Sequence, residues 1–390
     1  MNIPNVDNLV HLIVTLTIII NFAKKSSDLM DKFKRYIDIY WPVTTCTLRC
    51  HYCYITHQRL FDNALPKFKY SPETFRKGLS QERLGGVCLL NFGGGGETLL
   101  PPEMPTYIKA ALEEGHYVNV VTNATVDRAF DEISSFPHEL LERLFFKFSY
   151  HYLELKKKNL LERFFRNIHK VTDAGASFTL EITPTDELMP FIDEMKEVAL
   201  QNVGAVPHAT IARDEHNHSI VPILSNLSPE QYYGVWSEAM KSELFDFKKT
   251  VFSQKRTEFC YAGDWSFHIN MATGQMRQCY CSLFSQNIFD DVTKPIKWKA
   301  IGHFCQEPHC YNAHGFLAFG TIPGFDAPTY DILRNRVRQD GTEWLNPKMK
   351  AFMAQKLGDN NKHYSVFKRL AVDTEMSILL LKHRLSRYIH

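Results

Sequence analysis

From residue 36 onward the chain alternates between short apolar, often β-branched runs and longer stretches with apolar residues on one helical face. Apolar runs at 36–45, 86–92, 117–122, 144–150, 178–184 and 206–213 predict six strands. The stretches at 102–114, 126–144, 155–173 and 187–202 predict helices between them. In the third, Leu160, Leu161, Phe164, Phe165, Ile168 and Val171 share one face at helical spacing. Ser71-Pro72-Glu73 joins an N-cap residue to a proline at the first helical position, so another helix starts there. Strand–helix alternation predicts a parallel sheet with right-handed crossovers, whose sites gather at the C-terminal ends of the strands. Residues 216–258 read as a connection with some helix, and the tail from 321 as helices packed on the core. No internal repeat or low-complexity tract is present.

Composition narrows the classes. The chain has 390 residues, 44% hydrophobic and 23% charged, which suits one large or two ordinary globular domains. Its 45 basic and 43 acidic side chains leave a net charge of +2, with no basic stripe, so no nucleic-acid partner is expected. Residues 10–22 are apolar but too short for a membrane span, which needs about 20 residues. They lack the flanks of a signal peptide and read as a buried segment or interfacial anchor. A start at Met30, making residues 1–29 a non-native extension, is a further possibility.

The nine cysteines change the picture most. Cys46, Cys50 and Cys53 form one group, and Cys260, Cys279, Cys281, Cys305 and Cys310 a second, more than 200 residues on. Cys88 lies in an apolar run and reads as a small core residue. This is not a disulfide scaffold; it points to reduced, metal-binding thiols in a cytoplasmic protein. Three thiolates on a 4Fe–4S cube leave one iron without a protein ligand. With His57, the same three thiols also make a possible four-ligand zinc set.

The spacing Cys46-x3-Cys50-x2-Cys53, with Tyr52 before the last thiol, resembles the signature of radical S-adenosylmethionine (radical SAM) enzymes. After the second strand, Asn91-Phe92-Gly93-Gly94-Gly95-Gly96-Glu97 is similar to that family's glycine–glycine–glutamate motif, with Thr98 where proline is common. The resemblance implies a six-stranded partial (β/α)6 barrel, a 4Fe–4S cluster on Cys46, Cys50 and Cys53, and S-adenosylmethionine on its open iron. It places the methionyl amino group at Gly95, Gly96 and Glu97, with Tyr52 beside the cluster. Asn123 would line the pocket and Ser149 would meet the ribose; the backbone around Arg213 would meet adenine. His151 and Glu181 are the candidates for substrate chemistry. Glu181 alternates with Leu180 and Ile182 in a covered sheet, so it requires a partner: cofactor, substrate, or an arginine such as Arg213.

The second group resembles the opening of the family's SPASM and twitch extensions, in which Cys260 is followed by thirteen residues, Gly274, four residues and Cys279. Residues 265–270 alternate like a strand, and 272–275 read as a hairpin turn that returns Cys279 to Cys260. Cys305 and Cys310 complete four ligands for one auxiliary 4Fe–4S cluster, with Cys281 as an alternative to Cys279; a structural zinc site is the rival. The resulting division is an extension (1–35), a radical SAM core (36–215), a linker with helix (216–258), a cysteine-rich hairpin/helix auxiliary-cluster domain (259–320) and a helical tail (321–390). The expected activity is hydrogen abstraction from a peptide side chain or a sugar-like small molecule, with net oxidation or cross-linking. An external electron donor such as flavodoxin or ferredoxin is implied. The alternatives from other classes are an iron–sulfur electron carrier and a zinc-stabilised binding protein.

Overall fold

A single nine-stranded sheet runs in the order β6-β5-β4-β3-β2-β1-β7-β8-β9 through the computed structural model. The structure describes residues 31–216, 221–280 and 282–386. The apolar run at 10–22, the Met30 start and Cys281 therefore lie outside the described residues. Strands β1 (Arg35–Trp41), β2 (Cys88–Gly94), β3 (Tyr117–Thr122), β4 (Leu144–Ser149), β5 (Ser177–Ile182) and β6 (His208–Ala209) pair in parallel in chain order. Helices cross between them, so the architecture is an α/β partial barrel.

Alternation along the strands sorts side chains to two faces. Ile37, Ile39, Trp41, Leu90, Phe92, Val118, Val120, Phe146, Phe148, Phe178 and Leu180 pack into the main apolar core with the helices. The opposite parity carries polar residues: Asp38 in β1, Asn91 in β2, Asn119 in β3, Lys147 and Ser149 in β4, and Ser177, Thr179 and Glu181 in β5. These line the barrel lumen, where Asn91 Nδ2 donates to Asp38 (2.7 Å) and Asn119 Nδ2 to Asn91 (2.6 Å). At the other end of the lumen Tyr36, Leu89, Tyr117 and Phe145 join Phe316, Phe319 and Phe352 in a second core, with Tyr117 stacked on Phe352 at 3.6 Å. The C-terminal segments thus plug the N-terminal mouth of the barrel and leave the strand C-termini for chemistry.

The sheet continues past β1. Strand β7 (Ser266–Asn270) pairs with β1 in parallel, and β8 (Gln275–Arg277) and β9 (Ser285–Asn287) follow antiparallel. Phe33–His390 forms one compact unit; of the separate unit Met1–Lys32 only the last two residues are described. Among the described residues no helix is long and apolar enough to cross a membrane.

Candidate active site

The cysteine loop leaves β1 through residues 43–45 and lies against the glycine run after β2. Gly96 N donates to Val43 O at 2.5 Å and Glu97 N to Thr45 O at 2.9 Å. A Cβ on Gly96 would come within 2.1 Å of the Thr45 carbonyl oxygen, so only glycine lets the two backbones meet. Glu97 is buried at 1% exposure. Burial raises its carboxyl above the usual range, and three donors oppose that: Thr122 Oγ1 (2.6 Å), Asn123 N (2.7 Å) and Leu99 N (3.0 Å). Glu97 therefore ties the end of β2 to the end of β3.

Asn123, released from β3, spans the gap to the cysteines. Its Nδ2 donates to Thr47 Oγ1 at 2.9 Å and lies 3.5 Å from Cys46 Sγ. The next residue, Ala124, sits at φ 55° in the left-handed region, where a side chain is strained. Thr122 Oγ1 accepts from its N–H and Asn167 Nδ2 donates to its carbonyl, which holds it there. Burial pushes the Cys46 thiol up to about 11, with Glu97 adding to it, and raises Cys50 and Cys53 as well. One buried and two half-buried thiols, all raised in this way, become thiolates readily only with a compensating cation.

Tyr52 carries the loop across to β4. Its hydroxyl lies 2.8 Å from His151 Nδ1. Burial, with the Lys147 ammonium nearby, holds His151 down to about 4, so the imidazole is neutral at pH 7. His57 turns away from the thiols. Its Nδ1 accepts from Glu215 N (3.2 Å) and its ring stacks on His216 at 3.9 Å. Its ligand atom gathers instead with those of Asp214 and His216 within 4.8 Å. Among the described residues, His57, Asp214 and His216 are the group whose ligand atoms lie close enough together to hold a metal.

The sequence model of the Radical SAM superfamily matches residues 42–187, the segment that holds the cysteine loop, the glycine run, Asn123 and His151. Residues 42–187 are a radical SAM superfamily segment. Its fold resembles, at low identity, solved structures of three proteins. Streptococcus suis SuiB bound to S-adenosylmethionine is 15% identical over 69% of this chain and 66% of that one, with a TM-score of 0.47. For anSMEcpe with bound AdoMet the values are 14%, 67%, 77% and 0.48. BtrN in complex with AdoMet and 2-DOIA gives 12%, 68%, 82% and 0.30. These likenesses are too distant to carry chemistry. No curated protein sequence matches the chain.

The remaining predicted residues fall around this radical SAM core as follows. Ser149 pairs with Glu181 across β4–β5, beside the Tyr52–His151 contact. Glu181 faces the lumen, where its partners are Lys147 Nζ (2.9 Å) and Arg334 Nη1 rather than Arg213. Both cations hold its carboxyl well below the usual range despite burial. Arg213 pairs with Glu215 at 2.6 Å. Sequence reasoning does not single out Lys147, Arg334 or Asp38; a charged residue at the centre of an otherwise apolar strand is the signal for Lys147 and Asp38.

The second cysteine group closes on itself. Cys260 pairs antiparallel with Gly302 (N–O 3.0 Å both ways) and Ile301 N donates to Ala262 O (2.9 Å). Cys260, Cys279 and Cys305 all pack on the small apolar pair Ala262 and Ile301. Cys260, Cys279 and Cys310 lie against the C-terminal core. Tyr280, next to Cys279, reaches into the lumen, and its hydroxyl donates to Asp38 Oδ2 at 2.7 Å.

Proposed function

We propose that this radical SAM enzyme abstracts hydrogen from a peptide side chain or a sugar-like small molecule, with net oxidation or cross-linking. Cys46, Cys50 and Cys53 would hold a 4Fe–4S cluster, and Cys260, Cys279, Cys305 and Cys310 one auxiliary cluster. When bound, the first cluster and S-adenosylmethionine supply a 5′-deoxyadenosyl radical, given an electron from a donor such as flavodoxin or ferredoxin. The chain's own part is positional. Gly95, Gly96 and Glu97 shape the amino-group pocket, Asn123 fixes the cysteine loop, and Ser149 and the backbone at Arg213 line the nucleoside side. The neutral His151 orients Tyr52, and Glu181 is a lumen carboxylate held ionised by its two cations.

The observation that carries the oxidative reading is the reach of the second cysteine group to the lumen face of β1, the strand that leads into the first group. Cys260, Cys279 and Cys305 share one apolar seat, and the residue after Cys279 bonds to Asp38 on β1. A second cluster there would lie next to the substrate space, suited to accept an electron. The test is iron, sulfide and zinc content after anaerobic reconstitution, with electron paramagnetic resonance of the reduced protein with and without S-adenosylmethionine. About eight irons, and about four after Cys46→Ala, Cys50→Ala and Cys53→Ala together, are expected for two cubes. Zinc in place of iron, or a cluster signal indifferent to S-adenosylmethionine, would sink the reading.

A further inference from the structure

The lumen beside β4–β6 holds more positive charge than its own carboxylates balance. Lys147 and Arg334 share the single carboxylate of Glu181. Lys248, from the helix Glu243–Val251, donates to Thr210 Oγ1 and is within reach of the charges of Glu181, Lys147, Arg334 and Arg213. His314 and His208 face the same group, and burial with these cations keeps both imidazoles neutral. The other lumen carboxylate, Asp38, is already engaged by Asn91, His268 and Tyr280. Arg213 is neutralised locally by Glu215.

Arg334 sharpens the point. It is 0% exposed, and Nη1 serves Glu181, yet Nε and Nη2 have no acceptor. Tyr330, whose ring lies 4.8 Å from the guanidinium carbon, is a close polar neighbour that favours the Arg334 charge without satisfying Nε or Nη2. His314 Nδ1 is buried without a partner too. Each unsatisfied buried donor costs about 1–3 kcal/mol. Nε–H and Nη2–H lie parallel on one edge of the guanidinium, the fork that accepts both oxygens of a carboxylate.

We propose that Arg334, Lys248 and Lys147 form an oxyanion subsite that takes a carboxylate group of the substrate. This rests on the enzyme reading above and narrows it to acidic substrates: a carboxylate-bearing peptide residue, a free chain terminus or a sugar acid. Glu181 then orients the guanidinium rather than touching the reacting carbon, and is a positioning residue. S-adenosylmethionine carries a carboxylate as well, so the same chemistry has two sources, which the test separates.

Burial and the neighbouring cations hold the Lys248 ammonium down to about 7, so at pH 7.5 its amine acylates ahead of ordinary surface lysines. The reconstituted holoenzyme is treated with sulfo-N-hydroxysuccinimide acetate, and acetylation of the Lys248 peptide is followed by mass spectrometry. Succinate, a dicarboxylate probe, is compared with chloride at equal ionic strength, with and without S-adenosylmethionine. Succinate at about four times its Kd is expected to slow Lys248 labelling about fivefold by mass action, in the presence of S-adenosylmethionine as in its absence. Arg334→Gln should abolish the protection. Should that variant not fold, Lys147→Met is expected to weaken it severalfold. Labelling no slower in succinate than in chloride overturns the proposal. So does protection by S-adenosylmethionine alone with succinate adding nothing, because the subsite is then the cofactor's. Loss of iron or of the S-adenosylmethionine-dependent signal would instead count against the enzyme reading, whatever Lys248 does.

Discussion

The glycine run after β2 offers a graded experiment within four consecutive residues. A Cβ on Gly93 meets nothing within 4 Å; on Gly94 it meets Val43 Cβ at 3.3 Å, on Gly95 Ile55 Cδ1 at 3.1 Å, and on Gly96 the Thr45 carbonyl oxygen at 2.1 Å. None of the four has a positive φ, so space alone decides the order. The neighbours of Gly94 and Gly95, which include the Val43 carbonyl at 3.2 Å from Gly95, need give only slightly, whereas the Thr45 carbonyl at 2.1 Å from Gly96 is backbone that must be displaced. Gly96→Ala must push residues 43–45 away, straining packing by about 1–3 kcal/mol. It also weakens the bonds from Gly96 N and Glu97 N to that segment, worth about 1 kcal/mol each. A net loss of about 3 kcal/mol is expected, and at an unfolding entropy of about 2.1 cal/mol/K per residue that lowers Tm by about 4 °C. Scanning calorimetry of the cluster-free protein under reducing anaerobic conditions reads this directly. Gly93→Ala should stay within about 0.5 kcal/mol of wild type, as expected where nothing is displaced. Gly96→Ala should also fail to retain iron on reconstitution, since the displaced segment leads straight into Cys46. If Gly96→Ala melts with Gly93→Ala and loads iron equally, the contact between the two loops does not support the site.

Three further outcomes follow from burial. His116 is 0% exposed, with Nδ1 accepting from Cys88 N (3.1 Å) and Nε2 facing Leu79 O (2.7 Å), and burial holds it down to about 4. Its contribution to stability is complete above the unfolded value near 6.5 and is lost as pH falls from there towards 4. Urea unfolding at pH 7 and pH 5 should therefore differ by about 2 kcal/mol more in wild type than in His116→Gln. Tyr52→Phe removes the bond to His151 and should cost about 1 kcal/mol in the same assay, while a neutral effect would mean that the contact is idle. Trp344 is 2% exposed, packs on Phe178 at 4.9 Å and donates to Val203 O at 2.9 Å. Trp344→Ala should cost about 3–5 kcal/mol, against under about 0.5 for Phe367→Ala at an 85% exposed position.

Local pattern made most of the barrel legible. The third strand, 117–122, has the bounds its β-branched run predicts, and Ser71 caps the helix Pro72–Gly78 through its bond from Thr74 N (3.1 Å). The predicted helix at 126–144 breaks into Asp127–Ser134 and His138–Leu141, because Pro137 cannot continue it. The helix at 155–173 is likewise interrupted, with Asn159 at φ 55° before Leu161–Asp173. The sixth strand shrinks to His208–Ala209: after Thr210, whose N–H still reaches Ile182 O, the chain pairs Arg213 with Ile223 instead of β5. In the site, the meeting of Cys46, Glu97 and Asn123 is readable because all three sit at strand ends of one parallel sheet. The partner of Glu181 was not: Arg334 lies 153 residues away, beyond any periodicity. Nor does a run of alternating residues at 266–270 reveal that it adds in parallel to β1 rather than forming its own sheet.

That addition bears on how the chain avoids clumping. A seven-residue strand as apolar as β1, left at a margin, would expose a row of unpaired amides and carbonyls to any passing strand. With β7 zipped to it, the outermost strands become β6, two residues long, and β9, the three polar residues Ser285–Asn287. Both are too short, and the second too hydrophilic, to template growth of a foreign ladder. Cutting the chain before Cys260 would remove that guard along with the second thiol group. The N-terminal barrel, expressed by itself, should fall out of solution through β1 even though none of its own strands has been touched.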